Sequence, residues 1–416
     1  VSTRLRILLI LTVALGQLFW SGCGHYICRP TFSNTACNGV VVGSTPSAFA
    51  FAVNQTAGTM DGYTLTASAK TFQATANYTA QTIPFSDAGA GVVVAQKQFL
   101  YAVFAKENQI YGWSISKTGT LTVLNGFPMT VTLSGTVASN YRQVSVITNP
   151  AGTLLFIAQT LTNQILAYQI SATGALTAVS GSPFSTGADQ PINLGMDGSG
   201  KYLYVAEDPN LTTHTATKTA AYVISATGAP VGSLTAVPGS PFAYGMWEIQ
   251  GDVSGQFLIG ISGSTASLAG VDDDNLYLFS IAQTGANAGA ITQVAKFLTT
   301  YPPFNLTVNP ALESVYTFSV NGAGNGNNPT EGFLLDAATS TLTVASGSPF
   351  TTLFTGGNGQ FEQTGAYLFA HNGDVGVVTS VQLAAFLSDS TTGGLTQPYP
   401  NATLATSGYW AVTDPQ

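Results

Sequence analysis

Charge is what this chain of 416 residues has least of: Asp, Glu, Lys and Arg together make up 7% of it, against about a quarter in ordinary soluble domains. The shortage does not signal disorder. A disordered chain combines high charge with low hydrophobicity, and here apolar residues reach 45%. Arginine is scarcer still, and beyond Arg29 only Arg142 remains. With a net charge of -8, that scarcity argues against a nucleic-acid surface. Cysteine is confined to Cys23, Cys28 and Cys37. None falls in the repeats described below, which argues against a cysteine nucleophile or a thiolate metal site there.

The apolar stretch at the N-terminus is also too short to be a comfortable membrane helix, which needs about 20 residues. It runs from Ile7 to Trp20 behind Arg4 and Arg6, the layout of an export signal. Trp20-Ser21-Gly22-Cys23 resembles a bacterial lipoprotein processing site, with Trp20 in place of the usual aliphatic residue. Residues 1–23 therefore read as a signal peptide ending in a lipobox-like cysteine, and 24–45 as a short linker. Ordinary cleavage nearby is the alternative to lipidation of Cys23. If Cys23 carries lipid, Cys28 and Cys37 remain as a pair for one disulfide in an oxidising compartment. The expected location is the cell envelope, lipid-anchored, or else the periplasm or exterior.

What the chain has in abundance is Gly, Thr, Val, Tyr and Phe, and they repeat. Thr118-Gly119-Thr120-Leu121-Thr122 returns as Thr173-Gly174-Ala175-Leu176-Thr177, Gly232-Ser233-Leu234-Thr235, Gly289-Ala290-Ile291-Thr292, Ser340-Thr341-Leu342-Thr343 and Gly393-Gly394-Leu395-Thr396. A second marker keeps the same phase: Phe99-Leu100-Tyr101, Leu154-Leu155-Phe156, Tyr202-Leu203-Tyr204, Phe257-Leu258-Ile259, Val315-Tyr316 and Tyr367-Leu368-Phe369. Gly-Ser-Pro-Phe stands at Gly181–Phe184, Gly239–Phe242 and Gly347–Phe350. Each unit holds about four short strands. A four-stranded sheet cannot bury both faces alone, whereas a ring of sheets can. The expected fold is all-β: a seven-bladed β-propeller of four-stranded antiparallel blades over 46–416. Its units span approximately 46–95, 96–149, 150–197, 198–253, 254–309, 310–363 and 364–416.

Lys201-Tyr202-Leu203-Tyr204-Val205, Ala172–Thr177 and Val179–Phe184 resemble the lactonase-type seven-bladed propellers. That group includes the propeller form of 6-phosphogluconolactonase and the related surface-layer propeller repeats of the YVTN type. The resemblance implies the fold and, where activity is present, a His, a Glu and arginines around the central opening. There a cation would stabilise a developing oxyanion while His or Glu moves a proton. The family's Pro-His segment corresponds to Asp189-Gln190-Pro191-Ile192-Asn193-Leu194, which keeps the Pro and lacks the His. Pro302-Pro303-Phe304-Asn305 offers only neutral side chains where arginine is expected, and Lys201, Lys218 and Lys296 are scattered.

The connections between the first and second strands of units four to six grow to roughly a dozen residues, and long loops on a rigid scaffold carry function more often than short ones. They hold the expected binding residues Asp208, His214, Lys218, Asp272, Asp273 and Asp274. The three consecutive aspartates could hold Ca2+ through clustered carboxylates. They lack the spacing of a calcium loop and read better as a solvated acidic loop, so no cofactor is expected. Arg142 and His371 are the candidates for chemistry. Arg142 is an anion contact or a blade-bridging hydrogen bonder, and His371 follows a strand that ends near the opening. The expected function is an exported envelope propeller that binds a protein, glycan or small molecule, touching membrane only through a lipid anchor. A lactone hydrolase and a structural surface-layer component are the alternatives.

Overall fold

The computed structural model describes residues 45–54, 57–83, 90–133, 144–208, 218–227, 230–262, 275–319, 329–351, 357–372, 381–404 and 409–416. Contacts divide the chain into Val1–Ser44 and Thr45–Gln416, and the description concerns the second. The export segment and all three cysteines lie outside the described residues.

Thr45–Gln416 forms seven antiparallel sheets in a ring, a β-propeller of about four strands per blade. From the centre outward, blade 4 runs Gln190–Met196, Tyr202–Asp208, Lys218–Ile224 and Leu234–Ala236. Blades 2, 3, 5, 6 and 7 follow the same order, with inner strands Ala90–Ala95, Val144–Thr148, Glu248–Gly251, Pro303–Val308 and Asn358–Phe361. Blade 1 differs. Its innermost strand is Trp410–Thr413, from the far end of the sequence, paired with Ala48–Asn54. The sequence repeat and the sheet are therefore out of phase by one strand. Each repeat opens at a second strand and ends with the inner strand of the next blade, so the last repeat supplies the strand that closes the ring.

The second strands explain why charge is so scarce. Phe99–Phe104, Leu154–Gln159 and Tyr202–Asp208 are buried at every residue. Alternate side chains go to opposite neighbours, as a strand's period of two requires. Leu203 and Val205 pack with Phe156 of blade 3, while Tyr202 and Tyr204 pack with Ile249 and Phe279 of blade 5. Such strands read as unbroken apolar runs, and a charge on either side would need a partner.

The sequence markers are hydrogen-bonding devices. In Gly-Ser-Pro-Phe the serine hydroxyl accepts from a third-strand amide: Ser182 from Ala167 (2.9 Å), Ser240 from Ala221 (2.9 Å) and Ser348 from Gly332 (3.0 Å). The glycine hairpins tie blades together. Tyr101, Tyr204 and Tyr316 donate their hydroxyls to the carbonyls of Gly174, Gly289 and Gly393 on the following blade, at 2.7, 3.0 and 2.9 Å. Gly174 sits at φ +79°, which favours glycine, and an added Cβ would lie 2.7 Å from Phe99 and Leu124.

The inner strands have no strand beyond them, so their free-edge backbone groups need other partners. Side chains of neighbouring inner strands supply them. Ser145 accepts from Leu194 N, Asn193 from Ile249 N, Glu248 from Leu306 N and Gln250 from Val308 N, at 3.0–3.2 Å. Close approach of these strands requires glycine at Gly251, where a Cβ would stand 2.2 Å from the Met196 carbonyl oxygen.

Candidate functional site

Register places the start of each inner strand beside the end of its second strand: Gln190 with Asp208, Glu248 with Ile261, Pro303 with Ser319, Asn358 with His371. Both the connections between blades and the second-to-third-strand loops therefore leave from one face, here called the loop face. The opposite face carries the Gly turns, whose acids serve as caps. Asp197 accepts from Ser199 N (3.1 Å) and Tyr202 N (2.6 Å), and Asp252 from Ser254 N (3.0 Å) and Phe257 N (2.7 Å).

On the loop face, the seam between blades 3 and 4 brings charged groups together. Lys218 opens the third strand of blade 4 and places Nζ 2.7 Å from Asp189 Oδ2, which lies on the connection entering the blade. Glu207 is the cross-strand partner of Lys218. It shares the side of its strand with Leu203 and Val205, and so faces blade 3. Glu207 is 1% exposed, and its Oε1 has no hydrogen-bond partner. Burial, reinforced by the Asp189 charge and opposed by Lys218, pushes its carboxyl up to about 7. Lys218 is held above its ordinary value by its hydrogen bond to Asp189. Burial, with a contribution from Glu207, raises the Tyr222 hydroxyl to about 12.

Asp208 is fully buried on the other side of the same strand, toward blade 5. Glu331 caps the connection into blade 6, accepting from Thr300 N (2.9 Å) and Tyr301 N (3.1 Å). His371 is buried in the seam between blades 7 and 1, its ring centroid 6.3 Å from that of Trp410, and burial lowers it to about 4. It is thus a neutral, enclosed imidazole rather than one presented to solvent. Arg142, His214 and Asp272–Asp274 lie outside the described residues. Among the described residues, no group of three or more His, Cys, Asp and Glu could hold a metal ion. The structure thus brings Lys218 into a charged cluster with Glu207 and Asp189, two residues the sequence analysis passed over. Strand phase carried the missed signal, since Glu207 continues the Leu203, Val205 alternation. At the family's His segment, Asn193 spends its carbonyl on Ile249 N (3.1 Å).

The family model for the lactonase seven-bladed β-propeller matches residues 41–219. A candidate 6-phosphogluconolactonase of Bacteroides fragilis shares the fold with a TM-score of 0.63 at 15% identity, over 89% of this chain and 99% of that one. One from Bacteroides uniformis gives 0.61 at 15%, over 88% and 99%. The periplasmic gluconolactonase of Pseudomonas aeruginosa gives 0.58 at 13%, over 89% and 100%. At such identities these structures establish the fold and nothing finer. A search of curated proteins found no match. The chain is a seven-bladed β-propeller that resembles the lactonase family, in sequence over residues 41–219 and in fold over most of its length.

Proposed function

We propose that the protein is an exported propeller of the cell envelope that acts as a binding scaffold and engages its partner through the loop face. The observation that carries this reading is the sign of the buried charge there. Among the described residues, Glu207, Asp208, Glu248 and Glu331 are buried at this face, and no buried Lys or Arg stands with them. A phosphorylated or carboxylated sugar would meet carboxylates where it needs cations. The neutral segments at Pro191–Leu194 and Pro303–Asn305 agree with that. The N-terminal sequence supports export, and the P. aeruginosa relative is named as periplasmic.

One observation favours a hydrolase as the second reading. Glu207 is a buried carboxyl raised to about 7 beside a cation, the kind of group that serves as a general base. A panel of sugar and aliphatic lactones given to the purified protein decides between the two. The scaffold reading predicts hydrolysis at the buffer rate for every lactone. Turnover that disappears in Glu207→Gln would establish the hydrolase instead.

A further inference from the structure

The cluster at the seam of blades 3 and 4 contains two carboxyl groups, Asp189 and Glu207, and one ammonium, Lys218. The ammonium is already engaged at 2.7 Å with Asp189. Nearby donors on blade 3 are engaged too. Thr160 Oγ1 donates to Pro191 O (2.9 Å) and Asn163 Nδ2 to Ala188 O (3.0 Å). Glu207 alone is left over, 1% exposed with Oε1 unpartnered. A buried carboxyl without a donor bears its desolvation cost in full. With both acids ionised, the cluster is one positive charge short among the described residues, and no donor reaches Glu207 Oε1.

We propose that Glu207, together with Asp189 and Lys218, forms a subsite for a primary ammonium group on the ligand taken by the loop face. The inference rests on the scaffold reading and names the ligand chemistry of that face. An ammonium brings three donors and one compact charge, which supplies both missing quantities. A hydroxyl would supply the donor and leave the charge unbalanced. A metal ion would need more ligands than the described residues assemble. The solvent side of the cluster is polar: the Lys218 side chain is 44% exposed and that of Asp189 13%. Among the described residues, the charged and titratable groups around Glu207 are Asp189 on the entering connection, Lys218 and Tyr222 on the third strand, and Asp208 on the reverse side of its own strand. Glu207 holds a proton on about half the molecules near pH 7, so an arriving ammonium expels it.

Titration calorimetry of the full chain tests this with cadaverine, glucosamine and Nα-acetyl-lysinamide, each beside its fully N-acetylated form. These represent free amines, amino sugars and lysine side chains. Measurements at pH 7 in phosphate and in HEPES, neither of which carries a primary amine, read the proton balance. At least one amine is expected to bind, acetylation to weaken it tenfold or more, and about half a proton to be released per site. Glu207→Gln should weaken binding at least tenfold and abolish proton release, without lowering the thermal midpoint. Binding by none of the amines overturns the proposal, as does equal binding of the acetylated forms. Unchanged binding in Glu207→Gln also overturns it and leaves water as the occupant beside Oε1. If these fail while loop-face crosslinking to a partner persists, the scaffold reading stands and only the ammonium subsite falls.

Discussion

Raising the pH should loosen the junction that closes the ring. On the face opposite the loops, the turn after the inner strand of blade 7 meets the end of the closing strand. Gln363 Oε1 accepts from Thr413 Oγ1 (3.1 Å) and Asp414 N (3.0 Å), and Lys97 of blade 2 pairs with Asp414. Glu362 is fully buried here. It accepts from Thr364 N (2.6 Å) and Tyr367 N (2.8 Å), and its carboxyl is hydrogen-bonded to that of Asp414. Two carboxyl groups can share a hydrogen bond only if one holds a proton. Burial first, and the bond to Asp414 next, raise Glu362 from 4.5 to about 7. A raised carboxyl stabilises the folded chain fully below its unfolded value of 4.5, and that contribution is lost as the pH rises to about 7. At roughly 1.4 kcal/mol for each tenfold change in proton affinity, the loss is about 3 kcal/mol. Urea unfolding of wild type and Glu362→Gln from pH 4.5 to 8 measures it, because the difference between the two curves removes titrations common to both. The difference should shift by about 3 kcal/mol against the wild type across that range. A difference that stays flat, or moves the other way, would refute the shared proton.

His371 acts with the opposite sign. Burial lowers it from 6.5 to about 4, so its contribution is present above 6.5 and disappears as the pH falls toward 4. His371→Leu should flatten that acid limb in the same unfolding series, and an unchanged limb would show the imidazole is not buried neutral. Tyr204→Phe removes the hydroxyl bond to Gly289 across blades 4 and 5 and should cost about 1 kcal/mol in urea unfolding. Gly174→Ala puts a methyl at φ +79° against Phe99 and Leu124. A loss of more than about 1 kcal/mol in the same assay is expected, since strain and overlap add.

Much of the fold was legible because its markers are bonds that recur at one phase in several blades. The serine of Gly-Ser-Pro-Phe, the hairpin glycines and the second-strand aromatics each do a fixed job at a fixed phase. The offset between repeat and sheet was not legible, because it depends on Trp410–Thr413 pairing with Ala48–Asn54 across the whole sequence. At the site, Lys218 and Asp208 stood out as charges at the edge of a long connection. Glu207 and Asp189 did not, since their meeting depends on hairpin register and on a contact between residues 29 positions apart. His371 had looked like a group near the opening. Its alternation with Tyr367 and Phe369 instead turns it toward blade 1, against Trp410.

The scaffold reading stands or falls on which face touches another molecule. A photo-crosslinking residue at Ala188 on the loop face, compared with one at Thr173 on the opposite face, reads this directly in intact envelopes; both positions are exposed. The account predicts a discrete adduct from position 188, none from 173, and loss of the adduct when residues 209–217 are replaced by a Gly-Ser linker. Equal crosslinking from both faces, or an adduct confined to position 173, would contradict it.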